Sequence, residues 1–408
     1  MRIGMLLDKP FPPDPRVANE ARSLVAAGHE ITLFCLHPGG ASEEIDWQGV
    51  RVVRYGIGRQ FWKKASALVL TLGLYNRWFR ARLPGFLRRY GIEALHVHDL
   101  PLVGEGLRAS RAAGIPLVAD LHENYPAAVR LYAWAQTPLG RLVVDPRRWD
   151  AYEREVVPRA DRVIVVIDEA RDRMPDLGVD PAKVAVIENT VAADEFESFP
   201  RDKDIIADGQ AAFTVTYLGT FDRHRGLESV IDAAGLLADR IPNLRVLLVG
   251  AGATRGELEE RARRQGLESR VTFAGWQPFE RFPSYVLGSS VCLIPHLKSA
   301  HTDTTIPHKL FHYMLLQRPV VTTDCAPLAR IVRETGCGEV YPSGDAQALA
   351  GALDGLRSAT RRDELGRRGR EAVLTTYNWE KTAQKLVALY ASLATEANRP
   401  VRLAGDGG

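Results

Sequence analysis

Apolar residues recur along this chain in two alternating rhythms. Short runs such as RIGMLL, LVAD, FTVTYL and LRVLLV have the aliphatic and β-branched composition of buried strands. Between them, apolar residues fall three and four apart, the spacing of helices with one buried face. In the first half the pattern predicts strands over 2–7, 30–35, 50–54, 94–97, 117–120, 162–166 and 184–187, and a helix over 15–27. A helical region is expected from about 61 to 90, broken near Pro84 and Gly85. The second half predicts strands over 213–218, 245–249, 270–273, 291–294, 320–322 and 339–341, with helices between them. Such alternation implies α/β architecture, with parallel sheets covered by helices on both faces. Residues 198–210 (SFPRDKDIIADGQ) lose the rhythm and gain Pro, Gly and charge, so they read as a linker. The expected domains are therefore 1–197 and 211–377.

One helix carries its charge in an unfavourable place. Residues 304–321 read TTIPHKLFHYMLLQRPVV. Pro307 suits a first helical position, since it needs no amide partner there. Ile306, before it, is pushed towards an extended conformation. The first turn then holds His308 and Lys309, where unpaired amides already supply positive charge. A bound anion resolves that conflict, and phosphate is the usual one. Leu310, Phe311, Met314 and Leu315 form the apolar stripe, while His308, Lys309 and His312 share the opposite one. A solvated basic face accounts for the same pattern without a ligand.

The strand predicted over 213–218 repeats the arrangement. Gly219 permits a tight turn, and the following helix buries Val230, Ile231, Ala234 and Leu237. Arg223, His224 and Arg225 lie around its start. Two strand–turn–helix units with basic starts point to one shared anionic ligand beyond the carboxyl ends of the strands.

Several segments, in order and spacing, resemble the family 4 group of nucleotide-sugar-dependent glycosyltransferases. They are FPPDPRVANEARSLVAAGHEITLFC, DLHENYP, DRVIVVIDEA, VAVIENTVAADEF, YLGTFDRHRGLESVIDAAGLL, PHKLFHYMLLQRPVVTTDC and YNWEKTAQKLVALYASL, and they run through nearly the whole chain. The resemblance implies the GT-B fold, two Rossmann-like domains with parallel sheets facing a central cleft. It implies a retaining transfer from a UDP- or GDP-linked sugar, with no further cofactor and no metal. On the donor side it points to Gly219, Arg225, Thr305, Ile306, Pro307, His308, Lys309 and His312. His122 is the implied catalytic residue, with Asp14, Arg16, His98 and Glu123 on the acceptor side. A final helix over 378–395 is expected to cross back onto the first domain, before a disordered tail over 396–408. The chain also departs from the family. Many members carry two glutamates eight residues apart, the second binding the ribose; here those positions hold Thr304 and His312. Thr220 stands where a basic residue commonly follows the glycine of the phosphate turn.

Other features change this picture little. His96 and His98 project from one face of a strand, and with His122 they could mimic a metal site, although the spacing does not establish zinc geometry. Asp202-Lys203-Asp204 matches a metal-binding pattern but lies in the linker, and Gly250-Ala251-Gly252 lacks the third glycine of a dinucleotide turn. At 408 residues and net charge +3, the chain suits two domains and gives no reason to invoke nucleic acid. Four cysteines without CxxC spacing fit a reduced cytoplasm. The opening MRIGMLLDKP reads as a strand, not a signal peptide. Residues 51–90 hold ten Arg and Lys and no acid, with Trp62, Tyr75, Trp78 and Phe79 interleaved. Lys63, Lys64, Arg77 and Arg80 are the expected contacts to an anionic membrane or a lipid-linked acceptor. A saccharide or a small molecule is the alternative acceptor.

Overall fold

The computed structural model describes residues 1–62, 70, 73–131 and 145–397. The first domain is built on eight strands: β1 (Arg2–Leu6), β2 (Glu30–Pro38), β3 (Glu43–Trp47), β4 (Val50–Ile57), β5 (Ala94–His98), β6 (Leu117–Leu121), β7 (Arg162–Val165) and β8 (Val184–Val186). Their order across the sheet is β3-β4-β2-β1-β5-β6-β7-β8. The second domain has six: β9 (Phe213–Leu218), β10 (Leu244–Val249), β11 (Val271–Gly275), β12 (Val291–Ile294), β13 (Val320–Thr323) and β14 (Gly338–Tyr341), in the order β11-β10-β9-β12-β13-β14. The central strands are buried on both faces, as the unbroken apolar runs require. All pairings are parallel except β3 with β4. β3 (EEIDW) escapes a reading by apolar runs because it is an acidic edge strand, and charge on an edge discourages further pairing.

Chain order reverses beside the first strand of each sheet. β1 lies between β2 and β5, and β9 lies between β10 and β12. Loops leaving neighbouring strands at such a reversal diverge and open a crevice at the carboxyl ends. The segments after β1 and β5 are Leu7–Lys9 and Asp99, while those after β9 and β12 are Gly219–Thr220 and Pro295–His296.

The expected linker is shorter than its composition suggested. Residues Lys203–Gln210 form a helix whose cap is Asp202, its carboxylate accepting from the amides of Asp204 and Ile205. That cap is the structural use of the Asp-Lys-Asp pattern. The helix lies close against Phe282–Gly288, where a Cβ on Gly209 would come 2.6 Å from the carbonyl oxygen of Gly288.

The closing helix, Trp379–Ala397, crosses back as expected. Trp379 Nε1 donates to Ser23 Oγ at 2.8 Å, and Tyr390 and Leu386 enter the core with Ile3, Met5 and Leu33. The tail expected to be disordered lies outside the described residues, apart from the helix end at 396–397.

Candidate active site

The donor-side helix begins later than its proline suggested. It spans Lys309–Leu315, with His308 at the cap and Pro307 just before it. Leu310, Phe311, Met314 and Leu315 are fully buried, as their stripe predicts. No acidic residue occupies its first turn. Lys309 folds back over β9, its Nζ 4.2 Å from the centre of the Tyr217 ring. Gly219 makes room for it: φ there is +143°, and a Cβ would sit 2.5 Å from the ammonium. Burial and the neighbouring Arg225 hold the Lys309 pKa well below its ordinary value.

Arg225 belongs to a single 3-10 turn, Arg223–Arg225, which precedes the helix Leu227–Leu237 and is not part of it. Its Nη1 lies 3.0 Å from His296 Nε2, and its Nε is buried without a partner. Neither Arg225 nor Lys309 forms an ion pair with a carboxylate among the described residues. The nitrogens His224 Nδ1 and His301 Nδ1 are likewise buried without partners. Burial, with Arg225 close by, pushes both histidines down to about 4. The result is a concentration of buried polar nitrogens beside two basic side chains that have no carboxylate partner among the described residues.

Arg225, His296 and His301 open onto a pocket of about 260 Å³ between the domains, while Lys309 lies over Tyr217 outside its lining. Arg225, His296, His301, Thr302, Thr305, Ile306 and Pro307 line it on one side. Lys9, Asp99, His122 and Glu123 line the other. The domains also meet directly: Asn124 Nδ2 donates to Ala300 O, and Asn189 Nδ2 to Ile306 O. His301 Nε2 lies 3.8 Å from Glu123 Oε2.

His122 occupies the cleft wall between two carboxylates. Its Nε2 is 2.7 Å from Asp120 Oδ2, and its Nδ1 is 3.5 Å from Asp99 Oδ1. Burial opposes its charge, but Asp99 and Asp120 outweigh burial and raise its pKa to about 9. At neutral pH the ring is therefore an imidazolium, a donor at both nitrogens. Asp99 has φ +64° and ψ 154°, a conformation close to glycine-only, and Lys9 Nζ holds its carboxylate at 3.0 Å. Asp99 was missing from the expected site. The unusual backbone at Asp99 leaves no mark in the sequence.

Other expected site residues are placed differently. His98 does not reach the acceptor side. It is fully buried behind His122, Nδ1 3.1 Å from Asp120 Oδ2, and burial together with His96 lowers it to about 3. Arg16, expected on the acceptor side, lies in the first turn of the helix Pro15–Ala26 and points into the core. It is buried, with Nη2 2.7 Å from Asp120 Oδ1 and Nη1 2.9 Å from both Ile187 O and Asn189 Oδ1. Asp14 caps that helix, accepting from the amide of Val17. His308 lies within electrostatic reach of Arg16, Asp14 and His122 across the cleft, and burial with Arg16 lowers it to about 4. His312 was expected to face the ribose or donor sugar. Its ring stacks on Phe196 at 4.3 Å between centres and 17° between planes, with Phe279 at 5.3 Å. Burial and His308 push it down to about 3.

Four donors of a possible metal site, on Glu20, His96, His98 and Asp120, lie within 4.8 Å of one another. Arg16 already bridges the two carboxylates, 2.9 Å from Glu20 Oε1 and 2.7 Å from Asp120 Oδ1. A cation of the chain thus occupies the acidic centre, and the cluster fits a charge network better than a metal.

The basic region 51–90 is not uninterrupted in space. Arg80 forms a two-point pair with Glu105, Arg54 meets Glu43, and Arg51 and Arg89 meet Glu44. Tyr75 and Phe79 are buried, and Trp78 packs edge-on against Phe34. The aromatics expected to face a membrane are mostly core. Arg77 is exposed in the last turn of Leu74–Arg80. Lys63 and Lys64 lie outside the described residues. Among the described residues no helix is long and apolar enough to cross a membrane.

Two family models match this chain, one on each domain: glycosyl transferase 4-like over residues 13–190 and glycosyl transferases group 1 over 212–358. The chain belongs to the family 4-like glycosyltransferases. It is similar to the α-D-kanosaminyltransferase of Streptomyces kanamyceticus, 25% identical over 346 residues, covering 79% of this chain and 84% of that one. It is also similar to the phosphatidyl-myo-inositol mannosyltransferase of Mycobacterium leprae, 25% identical over 318 residues and 75% of each chain. Solved structures of the same fold include the sucrose-phosphate synthase of Thermosynechococcus elongatus, with TM-score 0.77, 21% identity, and coverage of 97% of this chain and 100% of that one. The Anabaena HepE protein, solved with UDP-glucose, has TM-score 0.72 and 16% identity, covering 96% of this chain and 100% of that one. This glycosyltransferase thus has the two-domain GT-B architecture.

Proposed function

We propose that this glycosyltransferase moves a sugar from a UDP- or GDP-linked donor to an acceptor hydroxyl with retention at the anomeric carbon. One observation carries the reading: Arg225 and Lys309, neither with a carboxylate partner among the described residues, flank the crevice end of β9. A nucleoside diphosphate supplies the missing charge. Both cations then stabilise the diphosphate as it leaves, when its negative charge grows. No metal is needed where side chains do that neutralising.

His122 acts as a hydrogen-bond donor at the reacting sugar, not as a base, because two carboxylates keep it protonated. The leaving phosphate itself accepts the acceptor's proton on the same face. Closure of the cleft over the donor limits hydrolysis. The acceptor belongs to cell-envelope or exopolysaccharide assembly, or else is a soluble metabolite. Exposed Arg77 favours an anionic acceptor surface, whereas the paired Arg80 contributes nothing to that reading.

Calorimetry with UDP and GDP, followed by transfer assays with a panel of donors and acceptors, tests the proposal. Saturable diphosphate binding and an α-linked product from an α-linked donor are expected. Inversion, or diphosphate affinity that survives loss of both cations, contradicts it. Binding to anionic but not neutral vesicles at low salt distinguishes a membrane-borne acceptor from a soluble one.

A further inference from the structure

Glu20 has no part in that chemistry, yet it is fully buried beneath the site. It follows Arg16 by one helical turn, with Oε1 2.9 Å from Arg16 Nη2. Its Oε2 lies 3.5 Å from His96 Nε2 and 3.9 Å from His98 Nδ1. Neither oxygen makes a well-formed hydrogen bond. A buried carboxyl held mainly by one shared cation is costly to desolvate, so its place beneath the site calls for an account. The Arg16 nitrogen that meets Glu20 also meets Asp120 Oδ1 at 2.7 Å, and Asp120 Oδ2 meets His122 Nε2 at 2.7 Å. Alternating charges thus run Glu20–Arg16–Asp120–His122, from the core to the cleft.

We propose that Glu20 is a positioning residue for His122: by sharing Arg16 with Asp120, it leaves Asp120 charge free to hold the protonated imidazole in place at the cleft wall. The groups facing Glu20 are Arg16 on its own helix, His96 and His98 on β5, Asp120 on β6, His122 just beyond it, and Tyr390 on the closing helix. Tyr390 joins through His96, its hydroxyl 2.8 Å from Nδ1. Burial pushes the Glu20 carboxyl up to about 7, with Arg16 opposing and Asp120 adding. When Glu20 is ionised, Arg16 serves two carboxylates and Asp120 pulls harder on His122. When Glu20 is protonated, Arg16 neutralises Asp120 alone. Ionisation of Glu20 therefore tightens the hold of His122 on its proton.

The inference rests on His122 being the cleft cation, and the test reads the imidazole rather than sugar transfer, so the two can fail separately. The wild-type protein with isotope-labelled histidine is titrated by NMR, the His122 signal being identified by its loss in His122→Asn. The expected wild-type curve has a small step near neutrality before the main step. In Glu20→Gln the small step disappears and the main midpoint falls by about half a unit or more, roughly a threefold loss of proton affinity. Glu20→Asp, which keeps the charge, retains the small step. A single-step wild-type curve overturns the proposal even if the variants fail to fold. So does a Glu20→Gln curve identical to wild type, which leaves Glu20 a purely structural residue.

Discussion

The ammonium of Lys309 sits 4.2 Å from the centre of the Tyr217 ring, and among the described residues no carboxylate pairs with it. An aromatic face stabilises a cation far less than a carboxylate does, so this charge is poised for an incoming anion. Lys309→Ala and Arg225→Ala should each weaken UDP or GDP binding by about tenfold or more, since charge-assisted contacts contribute roughly 1.5–3 kcal/mol each. Calorimetry measures it, and unchanged affinity in both variants would put the phosphate site elsewhere.

Diphosphate binding should be linked to proton uptake. Burial and Arg225 depress the Lys309 pKa, and a bound anion raises it again. Between those two values, binding draws a proton from solution. Affinity should therefore fall as pH rises through that window. Titrations in buffers of different ionisation enthalpy reveal the uptake, and Lys309→Ala should abolish most of it.

His122 should make stability depend on pH in the alkaline direction. Its pKa is raised in the folded state, from 6.5 to about 9. The stabilisation is complete below the unfolded value of 6.5 and is lost as pH rises through about 9. The stability gap between wild type and His122→Gln should be on the order of 1–3 kcal/mol near pH 6 and should close towards pH 10. Chemical denaturation at several pH values measures it; a gap that is constant across the range contradicts the assignment.

His312 should tolerate an aromatic replacement better than alanine. Its stack on Phe196 joins the donor helix to the segment Ala193–Ser198. His312→Ala should lower stability by about 1–3 kcal/mol, while His312→Phe should lose less. If His312→Phe folds normally but loses donor affinity, the ring also meets the ribose.

Arg80 and Arg77 should behave differently despite their shared segment. Removing Arg80 leaves Glu105, 6% exposed, without its two-point partner. Arg80→Ala should cost about 1–3 kcal/mol in denaturant unfolding, and Arg77→Ala close to nothing. Vesicle binding is therefore tested more cleanly at Arg77.

Much of the fold was legible because apolar burial leaves a direct trace. FTVTYL and VCLI are strands as read, and the stripe Leu310, Phe311, Met314 and Leu315 is core, because a buried face must be apolar at the period of its element. β3 and the helix Lys203–Gln210 were missed because an acidic edge strand and a short capped helix bury too little to set a pattern. The basic starts at Arg225 and Lys309 were visible because charge at a helix start conflicts with local electrostatics alone. Which charges remain unpaired was not visible, since partners come from distant segments. Glu105 takes Arg80 and Asp120 takes Arg16, while among the described residues no carboxylate pairs with Arg225 at the cleft pocket or with Lys309 over Tyr217. The strained Asp99, the His312 stack and the Glu20–Arg16–Asp120–His122 chain likewise exist only once the sheets and the closing helix bring remote residues within contact distance, where Coulomb and packing energies become large.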